Sequence, residues 1–124
     1  MKVLLSIKPE FIEKIFAGTK KYEFRKSLFK RNDVTTIVMY ASSPIKRVVG
    51  EFEIDAIMSD ELNVIWERTK KHSGITKEFY DSYFRERTVA NAIQIGHLIR
   101  YKKAKCLSDY NISQAPQSFC YISE

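Results

Sequence analysis

Residues 18–26 read Gly-Thr-Lys-Lys-Tyr-Glu-Phe-Arg-Lys, and three of these side chains could do chemistry together. From Lys21 to Arg25 the pattern has a period of two, with Tyr22 and Phe24 set against Lys21, Glu23 and Arg25. That spacing predicts a strand whose Glu23 and Arg25 project from one face. Lys20 lies at the turn before the strand and can swing over the same face. A carboxylate between two cations suits a polar, partly anionic ligand. Arg25 offers a planar fork, Lys20 a point charge, and Glu23 an acceptor for amino groups. A solvated face carrying a surface ion pair of little worth to stability fits the same spacing. Spacing alone leaves both readings open.

Basic residues cluster twice more. Lys26, Lys30 and Arg31 follow the first group, while Arg100, Lys102, Lys103 and Lys105 come late in the chain, with Phe29 and Tyr101 interleaved. Such a mixture can meet a phosphate backbone and stack an unpaired base. It can equally protect strand ends and keep a basic protein soluble. Ser42 and Ser43 offer hydroxyls and turn amides suited to phosphate, although such turns are commonly only turns. Glu51, Glu53 and Asp55 alternate as an outward carboxylate row, read as solvated. His72 and His97 have no neighbouring ligand set, so no metal site is expected. His97 is expected to be a partly buried, hydrogen-bonded histidine. Cys106 lacks the surroundings of a nucleophile. Trp66, Tyr80 and Tyr83 fall on helical faces and read as core.

The elements that must position these residues follow from periodicity. Residues 2–7 read as a strand, and Pro9 then opens a helix with Phe11, Ile12, Ile15 and Phe16 on one stripe and Gly18 as its left-handed cap. Strands are predicted over 35–40, 48–57, 90–101 and 119–122, and helices over 61–71 and 76–85, the second capped by Thr76. The 124 residues suit one domain, 1–124, and 44% apolar content with only 4 Gly and 3 Pro predicts a real core. Expected core positions are Leu4, Phe11, Ile15, Tyr22, Phe24, Ile37, Phe52, Ile54, Ile93 and Ile95. The order of elements argues for an α+β fold with a small mixed barrel or curled sheet, one helix after the first strand and a helical pair before the last strands. Lys plus Arg is 21 against 15 Asp plus Glu, a net charge of +6 that suits an anionic partner. No apolar stretch of roughly 18 residues exists to cross a membrane. The first apolar run is too short for a signal-peptide core, and two Cys fit a reduced, cytoplasmic protein.

Gly18-x-Lys20-x-x-Glu23-x-Arg25 resembles the GxKxxExR signature of the ASCH family, a branch of the PUA-like superfamily. Leu5-Ser6-Ile7-Lys8-Pro9, Tyr40-Ala41-Ser42-Ser43-Pro44 and Pro116-Gln117-Ser118-Phe119-x-Tyr121 are similar to flanking elements of its bacterial and phage single-domain members. The resemblance implies a PUA-like barrel with a helix beside a cleft, lined by Lys8, Lys20, Glu23, Arg25, Tyr40, Ser42 and Ser43. It implies binding of RNA or a modified nucleotide, with duplex DNA less favoured, and a possible use in gene regulation. One ASCH subfamily hydrolyses an acetylated cytidine with a Lys and a Thr. Lys20 matches that Lys, but Glu23 stands at the Thr position, and a carboxylate cannot replace a hydroxyl without a changed mechanism.

The sequence thus supports a small nucleic-acid-binding module whose outer patch is Lys26, Lys30, Arg31, Arg100, Lys102 and Lys103. The alternative is a metal-independent hydrolase acting on a modified nucleoside or on RNA. Glu23 would then be the general base and Lys20 the electrostatic stabiliser, with no cofactor. In the cleft Glu23 is expected to bond Arg25 or Lys20, and Ala at 20 or 25 is expected to remove binding while sparing the fold.

Overall fold

Residues 1–122 are described by a computed structural model. The first strand, β1 (Lys2–Ile7), buries Val3, Leu4, Leu5 and Ile7, so both of its faces are covered and its apolar run is nearly unbroken. Helix α1 (Pro9–Ala17) starts on Pro9, whose missing N–H costs nothing in a first turn. It ends at Gly18, whose φ of 84° lets its N–H return to the Ile15 carbonyl. The N–H groups of Thr19 and Lys20 both donate to Lys14 O at 3.1 Å, and this tight exit delivers Lys20 to the start of β2 (Tyr22–Arg25).

Then follow β3 (Thr36–Ala41), β4 (Arg47–Glu61), α2 (Leu62–Thr69) and α3 (Lys77–Tyr83), with a single 3₁₀ turn, Lys70–His72, between the helices. The chain closes with β5 (Val89–Lys105), a 3₁₀ turn at Leu107–Tyr110, and β6 (Phe119–Ile122). The six strands lie in the order β2-β5-β4-β3-β1-β6. β1 runs parallel to β3, because α1 and β2 form the crossover between them; the other neighbours are antiparallel.

The α+β class and the placement of the helices agree with expectation; closure into a barrel does not follow. β2 and β6 are the two edges, and no backbone ladder joins them among the described residues. The sheet is nonetheless curled. Register shifts in β4 at Val48/Gly50, Phe52/Ile54 and Ile54/Ala56 bend the long β4–β5 pair. β4 and β5 also run past their expected ends, since ladder hydrogen bonds from Glu61↔Val89 to Val48↔Lys105 hold them where apolar alternation has faded.

The sheet separates the buried residues into clusters. Val3, Leu5, Ile7, Ile12, Ile15, Ile37, Met39, Phe52 and Ile93 pack with α1 on one side. Phe24, Ile65, Tyr80, Phe84, Ala90 and Ala92 pack beneath the helical pair. β2 is therefore buried on both faces. Phe24 points under α2 and α3, and Glu23, opposite Ile93, points to the α1 side. Of the expected core, Phe11, Tyr22, Ile54 and Ile95 are half-buried at the margins of these clusters. Glu53 and Asp55 are solvated as expected, but Glu51 is half-buried and accepts from Tyr101 Oη at 2.7 Å and Lys2 Nζ at 3.3 Å.

Candidate functional site

Lys20 is only 2% exposed, an unusual state for a lysine. Its stem lies under the connection between α2 and α3, at Gly74. A Cβ on Gly74 would sit 2.5 Å from Lys20 Cβ and 2.6 Å from its Cγ, so no other residue fits over it. Gly74 also has a φ of 70°, a region that side chains disfavour. Three hydrogen bonds clamp the same connection to the end of α1: Lys20 Nζ to Ser73 O at 2.8 Å, Lys21 N to His72 O at 2.8 Å, and Lys14 Nζ to Gly74 O at 2.9 Å. The ammonium lies 4.9 Å from the Phe24 ring centroid and 5.1 Å from that of Phe11. Burial brings its pKa down to about 8, against the opposing pull of Glu23 and with a smaller push from Lys14.

Glu23 is 5% exposed and accepts from Arg25 Nη1 at 3.1 Å, the pairing expected for a buried carboxylate. Arg25 does more than pair. Its Nη2 donates to Ser118 O at 3.0 Å and Ser118 Oγ at 3.1 Å, and its Nη1 reaches Ser6 O at 3.4 Å. One guanidinium on edge strand β2 thus spans the open seam to β1 and the approach to β6. Ser6 Oγ fixes the same approach by donating to Pro116 O at 2.9 Å. Arg25 is a latch in the fold as well as a cavity residue, so these bonds argue that Ala at 25 costs stability as well as binding, against the expectation that it spares the fold.

These groups line a cavity of about 240 Å³. Glu23, Arg25 and Ser6 form its polar wall, Phe11, Phe24 and Ile75 with the Lys20 stem its apolar wall, and Lys8, Phe79, Tyr83 and Gln117 its mouth. Lys8 Nζ is 5.3 Å from the Phe79 ring, which lies parallel to Tyr83 within 9° at 6.3 Å. Burial raises the Tyr83 phenol pKa, while Arg25 lowers it.

Of the ligand-binding residues expected from sequence, Lys8, Lys20, Glu23 and Arg25 meet at this cavity. Tyr40 does not: it is buried with Leu4, Val38, Val48 and Ile122 on the other side of the sheet. Ser42 and Ser43 lie outside the lining too, although Ser42 N–H donates to Ile7 O and so starts the turn beside it. Tyr83, read as core, packs against the α2–α3 cluster and also lines the cavity. Ser6 and Gln117 stood in the sequence only as parts of the flanking elements, and Phe79 was not among the expected site residues. Phe79 and Tyr83 are four apart on α3, a spacing that places both on one face. His97 is exposed rather than half-buried.

The outer basic residues do not form one patch. Arg25 lies opposite Asn91 on β5, and Arg100 follows nine residues later, about 30 Å of strand away. Arg100 covers the Phe16 ring at 4.6 Å, Lys102 and Lys103 are exposed beyond it, and Arg31 pairs with Asp33 at 2.7 Å. Lys30 and Arg31 direct their N–H groups to Tyr121 Oη, and Lys26, outside the lining itself, stands beside a residue of it, its ammonium 5.0 Å from the Tyr83 ring.

The family model for the ASCH domain matches residues 5–99, more than half of the sequence. The chain belongs to the ASCH domain family. This ASCH domain superposes on the crystal structure of ASCH from Zymomonas mobilis with a TM-score of 0.89 and 25% identity, covering 99% of this chain and 88% of that one. It is similar to an "ASCH domain-containing ribonuclease" of Zymomonas mobilis subsp. mobilis, at 27% identity over 124 residues, 98% of this chain and 84% of that protein. It also matches the large ribosomal subunit protein uL22 of Ureaplasma parvum serovar 3, at 29% identity over 120 residues; the chain spans 39% of that relative's length.

Proposed function

We propose that this ASCH domain binds RNA by taking one unpaired nucleotide into the cavity between β2, α1 and α3. The observation that carries the reading is the composition of that cavity: apolar rings and a polar wall in a space of about 240 Å³ with cations at its mouth. A flat base has rings to stack on at Phe11, Phe79 and Tyr83. Its polar edge meets Glu23, which is acceptor-only, and Gln117, which both donates and accepts. Among the described residues Glu23 Oε1 has no hydrogen-bond partner, and it is the atom left to receive an exocyclic amino group. Lys8 supplies charge for a phosphate at the rim. A base inside a duplex has no free face or edge to offer, so single-stranded RNA or a modified nucleotide is favoured over duplex DNA. The net charge of +6 favours any polyanion and does not choose among them.

A titration of single-stranded RNA against wild type and Phe79→Ala tests the reading. Loss of one stacking ring should weaken binding about tenfold. Equal binding by both proteins would contradict it.

Cleavage of RNA is the second reading, favoured by the buried Lys20, whose pKa near 8 leaves it part neutral at mildly alkaline pH, and by the ribonuclease among the relatives. Glu23 Oε1 would accept the proton of a ribose 2′-hydroxyl as its oxygen bonds to the adjoining phosphorus and the P–O5′ bond breaks, with the protonated form of Lys20 facing the developing charge. The leaving 5′ oxygen would take its proton from Glu23 or water, which leaves a cyclic phosphate on one end and a 5′-hydroxyl on the other. Incubation with end-labelled RNA tests it: wild type should shorten the label and Glu23→Gln should not. An uncut label with wild type leaves binding alone. A regulatory role would follow from binding, with reporter expression in a deletion strain as its test.

A further inference from the structure

The mouth of the cavity is not symmetric, and its α3 side continues into a second surface. Tyr83 forms the boundary. It belongs to the lining, and the Lys26 ammonium stands 5.0 Å from its ring centroid. The ring is held from beneath by Phe84, edge-on at 4.8 Å, and lies parallel to Phe79. Lys26 is pinned by its backbone: Asn91 Nδ2 donates to Lys26 O at 3.2 Å and to Arg25 O at 3.1 Å.

A second cation follows α3. The chain leaving the helix reverses at Glu86, which takes a φ of 64°, and Arg87 N–H returns to Phe84 O at 2.9 Å. That turn sets Arg87 four residues after Tyr83, with its backbone against Phe84, the ring on which Tyr83 packs. Lys26 and Arg87 are both exposed, and among the described residues neither has an acidic partner within ion-pair distance. Other exposed cations, among them Lys21, Lys71, Arg85, Lys102 and Lys103, also lack an acidic partner among the described residues. What sets these two apart is place: Lys26 stands over the Tyr83 ring, and Arg87 lies at the turn that follows α3.

We infer that the RNA strand leaves the cavity across Tyr83, with the adjoining phosphate held between Lys26 and Arg87 and the next base free to stack at the end of α3. This path rests on the cavity reading above and deepens it: the ligand is a continuous single strand of at least two nucleotides, not a free nucleoside. A planar ring with one cation over it and a second at the turn that follows matches the repeat of a nucleic-acid strand, one base face and one phosphate per step. Arg87 contributes a fork that can hold two phosphate oxygens, and Lys26 a point charge.

The test compares two ligands on two proteins. Each of the four ribonucleosides, which carry no phosphate, and a mixed-sequence single-stranded hexaribonucleotide are titrated into wild type and a Lys26→Ala/Arg87→Ala double variant. Both side chains are exposed, so the core is untouched. Nucleoside binding should be equal in the two proteins, and the double variant should bind the hexanucleotide about tenfold more weakly. Its salt dependence should also flatten by about 0.7 in log–log slope, the amount for one phosphate contact on a single strand. Wild-type binding of nucleoside with hexanucleotide affinity unchanged in the double variant overturns the exit path alone. Equal loss of both ligands overturns it too, because the two cations would then belong to the cavity. No binding of either ligand by wild type overturns the cavity reading and the path with it.

Discussion

Lys20 and Arg25 are both cations of one short motif, yet the fold treats them differently. Lys20 is taken out of water and held by one carbonyl and two rings, so its charge is disfavoured. Its unfolded pKa is near 10.5 and its folded pKa about 8. Between those values the unfolded chain holds a proton that the folded one has released, so folding stability rises with pH across that window. Below about pH 8 the full penalty stands. In Lys20→Met this rise should be absent, and the difference between the two stability curves should reach about 3 kcal/mol, as read by urea unfolding from pH 7 to 11. Parallel curves would contradict the burial of the amine. Arg25 is held by an ion pair, by a carbonyl on β1 and by the carbonyl of Ser118 just before β6. Arg25→Ala should cost about 3 kcal/mol, because Glu23 is left buried without its partner. A urea midpoint within error of wild type would refute the latch.

At the scale of elements, the α2–α3 connection is the piece that makes the site. Gly74→Ala puts a methyl into the Lys20 stem at a positive φ, and should cost about 2 kcal/mol or more. It should also reduce RNA binding by displacing Lys20. Wild-type stability and binding in that variant would mean the connection is not a clamp. Thr76 Oγ1 accepts from Phe79 N at 3.0 Å, so Thr76→Ala should lower stability by about 1 kcal/mol in the same unfolding assay. β1, β6 and the Thr76 cap were legible in the sequence because each depends on local pattern: an apolar run, a short aromatic and apolar stretch, a hydroxyl before a helix. Lys8, Lys20, Glu23 and Arg25 were legible as a group because the motif and the strand pleat bring them together. The role of Gly74 was not, since Ser73-Gly74 reads as a plain break between helices and only the tertiary packing puts Lys20 beneath it. Tyr40 misled for the opposite reason. Its neighbours Ala41 and Ser42 approach the site, but the pleat turns its ring to the far side of the sheet.

For the whole molecule, curvature decides what the sheet can do. The bulged β4–β5 pair brings edge β2 round toward β1 and β6, and side chains rather than a ladder hold the seam, so a cavity remains where a closed barrel would have had backbone pairing. Charge is distributed over this surface in separate groups, and only one lies at the cavity. RNA binding should therefore depend on salt, losing about 0.7 of log–log slope for each phosphate contact removed at the mouth. Lys102→Ala and Lys103→Ala should leave the slope unchanged. The central claim is that the cavity, rather than the basic end of β5, receives the RNA. Amide chemical shifts of isotope-labelled protein, followed during titration with a single-stranded hexaribonucleotide, test it most directly. The account predicts shifts at Lys8, Phe11, Lys20, Phe79, Tyr83 and Gln117, with Arg100, Lys102 and Lys103 unmoved; shifts confined to Arg100, Lys102 and Lys103 would contradict it.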